Sequence, residues 1–92
     1  MEFEWDDAKA AGNLSKHGVT FILAQLVFAD EFRIEELDDL VSYGEERWKV
    51  VGLAKGRLYA VIYTKRSKNF RIISARKATR HEQQDYLQQS FT

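Results

Sequence analysis

The chain contains no cysteine and no proline. Without cysteine there is neither a disulfide framework nor a thiolate metal site, so stability has to come from packing alone, which suits a reducing compartment. Long hydrophobic runs are also missing: the longest, from Phe21 to Leu26, is broken by Gln25. That is far short of the roughly 20 apolar residues that span a bilayer, and no basic-then-apolar leader opens the chain. A soluble, cytoplasmic protein with no membrane attachment is expected. Histidine is scarce, and His17 and His81 are too far apart for a two-histidine ligand motif. The acidic run from Asp30 to Asp39 lacks the spacing of a calcium loop. No metal and no cofactor are therefore expected. There is no internal repeat and no low-complexity linker, and 92 residues with 45% hydrophobic content make one domain over 1–92.

What the chain does have is charge, sorted by sign. Met1 to Glu46 holds three basic residues against twelve acidic ones, a balance of −9, and Arg47 to Thr92 holds eleven basic against two acidic, a balance of +9. The basic half is written mostly in strand-forming residues interleaved with Tyr59, Tyr63 and Phe70. Such a composition suits a surface that meets phosphates, and it equally suits a two-signed domain whose halves attract each other.

Period-two alternation of Phe3 and Trp5 about Glu4 predicts a short opening strand over 2–5. Asp6 or Asp7 caps a helix running to His17 and stopped by Gly18. Thr20 caps a second helix over 21–29, apolar nearly all round and therefore buried. Strands are expected over 32–36, 46–54, 57–65 and 70–76, with a loop through Gly44 and tight turns at Lys55-Gly56 and Ser67-Lys68-Asn69. Thr79 and Glu82 form a capping box that starts a final helix reaching Gln89. The predicted class is α+β, an antiparallel sheet packed against helices in the order βααββββα.

The junction of last strand and last helix gathers Arg71, Ser74, Arg76, Lys77 and Arg80. A helix N-terminus adds its unpaired N–H groups, making a phosphate cradle. Simple alternation puts Ser74 and Arg76 on one face and Arg71 and Lys77 on the other, which favours Arg76 for chemistry. His81 sits beside this junction with Asp85 one turn ahead to orient it. His17 and Lys16 close the first helix, where the dipole favours a charged imidazole. Glu46 and Arg47 offer a carboxylate and a guanidinium at the mouth of a long strand, and Tyr59 and Tyr63 share a strand face that can stack a base. RNA cleavage without a metal needs a base near the 2′-hydroxyl, cations for the crowded phosphate and an acid for the leaving oxygen, and the chain carries a residue of each kind.

Several blocks together resemble a known family. They are Phe3-Glu4-Trp5-Asp6, Lys9, Asn13, Lys16-His17-Gly18-Val19, Phe21, Gly44-Glu45-Glu46-Arg47, Tyr63-Thr64, and Arg71-Ile72-Ile73-Ser74-Ala75-Arg76-Lys77-Ala78-Thr79 with Glu82. In this order and spacing, from Phe3 to about Tyr86, they are similar to the BrnT toxins of bacterial type II toxin–antitoxin systems. The stretch from Asp30 to Tyr43 departs from the pattern, lacking the proline many members place after the second helix, and His81 replaces a basic residue.

The resemblance implies a RelE-like fold and a metal-independent endoribonuclease that blocks translation and arrests growth. It also implies neutralisation by a BrnA-like antitoxin in a hetero-oligomeric complex, with DNA engaged only through the antitoxin's ribbon-helix-helix segment. Arg76 and Arg47 are then expected as phosphate stabilisers, Glu46 as base and His17 or Lys16 as acid. Arg71, Tyr63, Ser74, Lys77, Arg80 and His81 are expected to contact RNA. The rivals are a nonenzymatic nucleic-acid binder and a pure protein-interaction module.

Overall fold

A computed structural model of the chain describes residues 2–38 and 46–90. Its elements are β1 (Glu2–Glu4), α1 (Asp7–His17), α2 (Phe21–Gln25) continued by a 3-10 turn (Leu26–Ala29), β2 (Ile34–Asp38), β3 (Arg47–Ala54), β4 (Arg57–Arg66), β5 (Asn69–Lys77) and α3 (Arg80–Ser90). The class is α+β and the order is the expected βααββββα. The predicted loop through Gly44 lies mostly outside the described residues. No helix among the described residues is long and apolar enough to cross a membrane.

Local chemistry sets most of the boundaries. Asp6 accepts the Lys9 amide at 3.0 Å, and Gly18, at φ 70°, returns its N–H to Leu14 at 2.8 Å, so α1 has a carboxylate at its start and a left-handed stop at its end. Thr20 caps α2 through the Leu23 amide at 3.0 Å. The predicted second helix tightens into a 3-10 turn after Gln25, where Val27 and Phe28 turn into the core. The strand expected over 32–36 begins two residues later. Asp30 Oδ1 accepts the Phe32 amide at 2.9 Å and Asp30 O accepts the Arg33 amide at 3.2 Å, which ties both residues into a turn and takes them out of the ladder.

The sheet runs β1-β5-β4-β3-β2. It is mixed where an antiparallel sheet was expected, because β1 lies parallel to β5 with Phe3 opposite Phe70. Between β1 and β5 the chain passes through both layers of the domain, a crossover long enough to permit parallel pairing. Beyond Arg71 the edge of β5 has no strand partner among the described residues. There Asn13 takes the place of a strand: its Nδ2 donates to Ala75 O at 2.8 Å and to Val19 O at 3.0 Å, and its Oδ1 accepts the Ala75 amide at 3.0 Å.

The core is in two parts. Under α1 and α2, one sheet face packs Val50, Val61, Tyr63, Ile72 and Ala75 against Val19, Phe21, Ala24, Val27 and Phe28. On the other face α3 covers a smaller cluster of Val51, Ala60, Ala78 and Tyr86, with Ile34 and Leu58 at its border. The 3-10 turn approaches β3 so closely that a Cβ at Gly52 would stand 3.0 Å from Val27 Cγ1. α3 spans only part of its face, which leaves the rest of that face open.

Candidate active site

The open part is a cleft of about 570 Å³ lined by Glu36, Leu37, Asp38, Arg47, Lys49, Ile62, Ser74 and Arg76. Cross-strand register explains the gathering. Asp38 pairs with Arg47, Glu36 with Lys49, Lys49 with Ile62, Ile62 with Ser74, and Ala60 with Arg76, so these side chains stand on one face of four adjacent strands.

The expectation that Arg71 stands opposite Arg76 is corrected here. Ile62 pairs with Ser74 but its neighbour Tyr63 pairs with Ile72, leaving Ile73 as an extra residue in β5. This bulge resets the alternation, and Arg71, opposite Thr64, falls on the Ser74 and Arg76 face. Glu4 lies beside Arg71 in the β1 register. Lys77 ends β5 opposite Tyr59, exposed and outside the cleft lining.

One carboxylate joins the cations. Glu82, 6% exposed, accepts Arg76 Nη1 on Oε1 at 2.7 Å and Arg76 Nη2 on Oε2 at 3.0 Å. Its Oε2 also accepts Lys49 Nζ at 2.8 Å, and its Oε1 accepts the Thr79 amide at 2.8 Å while its own amide donates to Thr79 Oγ1 at 3.2 Å. The expected capping box is therefore present and does a second task. Burial alone would raise the Glu82 pKa, but the bonds from Arg76, Lys49 and Thr79 outweigh it and hold the carboxyl far below its usual range. Glu82 in turn raises Arg76, and Lys49 is raised by Glu82 and by Glu36, 2.9 Å away, against the opposing effect of its own burial. Both cations stay charged. Arg47 differs: its Nε is buried and has no hydrogen-bond partner among the described residues.

The remaining sequence candidates lie elsewhere. Tyr63 is fully buried on the opposite face, 5.0 Å from Phe28 and from Phe70 between ring centroids, and its hydroxyl donates to Glu35. Burial, reinforced by Glu35, pushes that hydroxyl's pKa up, and its ring offers no open face to a base. Tyr59, 7% exposed, belongs to the same core. Lys16 and His17 end α1, which packs on the Tyr63 side of the sheet. Glu46 is exposed just before β3 and is not part of the cleft lining. Arg80 and His81 are exposed in the first turn of α3, with His81 Nε2 3.3 Å from Asp85 Oδ2. Among the described residues no three His, Asp or Glu side chains are grouped as metal ligands.

Sequence reasoning missed Lys49 and the cross-linking role of Glu82. A signal for Lys49 was present: Arg47 and Lys49 share a face of β3 by alternation, and a lysine in an otherwise apolar strand needs a partner. Converging Arg47, Lys49 and Arg76 beside carboxylates, the cleft can hold a phosphodiester and move a proton at its edge. Comparison with protein families finds a match over residues 5–82 to the model described as "Ribonuclease toxin, BrnT, of type II toxin-antitoxin system". A comparison with curated proteins finds no match.

Proposed function

The chain belongs to the BrnT family of ribonuclease toxins of type II toxin–antitoxin systems, and from this premise we propose that the cleft between β2 and β5 is where it cuts RNA, without a metal. Membership in a type II system brings an antitoxin protein as partner. A BrnA-like antitoxin is the natural candidate, and translational arrest in the cytoplasm is the consequence of the cleavage.

The observation that carries this reading is the convergence of three cations from two strands on one open face, one of them, Arg47, with a buried donor that has no partner among the described residues. A scissile phosphate seated there would take N–H donors from Arg47 and Arg76 as its charge grows toward the transition state. Among the described residues, hydrogen bonds occupy three of the five N–H groups of Arg76, two to Glu82 and one to Lys77 O, so two remain to face the phosphate. Asp38, the cross-strand neighbour of Arg47 in the cleft wall, accepts the proton of the 2′-hydroxyl. The 2′-oxygen then bonds to phosphorus, the bond to the 5′-oxygen breaks, and that oxygen takes a proton. Lys49, with two N–H groups on Glu36 and Glu82, has its third for that purpose. The products are a 2′,3′-cyclic phosphate and a 5′-hydroxyl. Glu46, exposed beside Arg47, is the second carboxylate to compare with Asp38.

Induced expression in a bacterium tests the reading. Wild type should arrest growth and produce new RNA fragments, relieved by co-expression of the antitoxin, and Arg76→Ala should accumulate as folded protein without arrest. Normal growth with intact RNA at confirmed soluble wild-type levels would overturn it in favour of a binding module.

A further inference from the structure

Arg76 and Lys49 do not belong to neighbouring strands. β5 and β3 flank β4, so their backbones run roughly 10 Å apart, a spacing too wide for one phosphate to meet both side chains without guidance. Each is a long flexible side chain, and each is only part buried, at 34% and 23% side-chain exposure. What brings them together is Glu82. Its two oxygens take both Arg76 terminal nitrogens and Lys49 Nζ, and the Thr79 amide completes the set, so both lone pairs of each oxygen are used. The carboxylate is itself fixed at N3 of α3 by the capping box, and α3 is tied to the sheet by Tyr86, whose hydroxyl donates at 2.6 Å to Asp30 Oδ2, which also accepts the Leu53 amide of β3 at 2.8 Å. A rigid chain of contacts therefore runs from the sheet through α3 to the two cations.

Resting on the reading of the cleft as the cleavage site, we infer that Glu82 is the positioning residue of this site: it converges Arg76, a donor to the phosphate, and Lys49, the acid for the leaving oxygen, into one preset pair. Glu82 does not touch the substrate and exchanges no proton. Its four bonds leave it no free acceptor, and its neighbours keep it ionised. Its charge also opposes that of an incoming phosphate. The same residue thus weakens ground-state binding while it orders the donors that matter in the transition state, and these two effects separate on mutation.

The test uses Glu82→Gln, which keeps the shape and an acceptor for the cap, alongside Glu82→Ala. Both are measured on a short oligoribonucleotide and on its non-cleavable 2′-deoxy analogue, with folding checked by circular dichroism. Glu82→Gln should cut about tenfold more slowly at saturation and bind the 2′-deoxy analogue about threefold more tightly. Partial unfolding would lower the active fraction but does not tighten binding. A folded Glu82→Gln with wild-type kcat, or with cleavage and binding lost in parallel, would overturn the inference. The ¹⁵N–¹H signals of the Arg76 Nη groups, which bond to Glu82, give a readout independent of cleavage: distinct resonances in wild type that collapse to the free-arginine position in Glu82→Ala. An unchanged signal also overturns the inference. Wild type that cuts no RNA, with the Arg76 signals still collapsing on loss of Glu82, would instead strike the reading of the cleft.

Discussion

Glu82 is a carboxylate whose folded environment strongly prefers the ionised form, and this links it to acid stability. Its folded pKa lies below the ordinary glutamate value of 4.5 because four donors hold the charge against the opposing effect of burial. The folded state then binds fewer protons than the unfolded chain in mild acid, so the contribution is complete above about pH 4.5 and drains as pH falls toward the folded value. Thermal unfolding followed from pH 7 to pH 3 should show wild type losing more than Glu82→Gln. The slope left in the variant belongs to Asp30 and Asp6, whose pKa values are also lowered. Equal slopes would mean that Glu82 is not held by its neighbours. At this scale the Thr79–Glu82 cap was legible in the sequence, as was the placing of Ser74 and Arg76 on one strand face. It was silent on Glu82 as a partner of Lys49, because 33 residues separate them and only the sheet brings them together.

Element boundaries were legible wherever a side chain bonds to backbone close by in sequence, as at Asp6, Gly18, Thr20 and Thr79. They slipped where the deciding contact lay in a turn that reads like a strand, as with Asp30 and Phe32. The bulge at Ile73 left no trace, since its isoleucine is as good a strand residue as its neighbours, yet it decides which face Arg71 occupies. Asn13 is the clearest element-scale test. Asn13→Ala leaves the Ala75 N–H and C=O on the unpaired edge of β5, together with Val19 O, without their partner. It should cost about 2 kcal/mol, read as a lower midpoint in urea with unchanged slope. A loss under about 0.5 kcal/mol would show that water serves that edge equally well.

For the whole molecule, the division of charge along the chain is partly resolved by the fold. Glu36 and Asp38 from the acidic half face Lys49 and Arg47 from the basic half across β2 and β3, so attraction between the halves and a phosphate site are the same surface rather than competing explanations. A cleft of mixed sign predicts modest salt dependence. With single-stranded RNA engaging Arg47, Lys49 and Arg76, binding of the 2′-deoxy analogue should weaken with a log–log slope of about −2, shallower by about 0.7 in Arg76→Ala. A slope near zero would mean that these cations neutralise no phosphate.

The most direct measurement is cleavage of a labelled oligoribonucleotide by purified wild type and by Arg47→Ala and Arg76→Ala, all in EDTA and all verified as folded. The account predicts fragments ending in 2′,3′-cyclic phosphate from wild type, with rates about a hundredfold or more lower in each variant. Cleavage by wild type that requires added divalent metal, or that survives loss of either arginine, would contradict it.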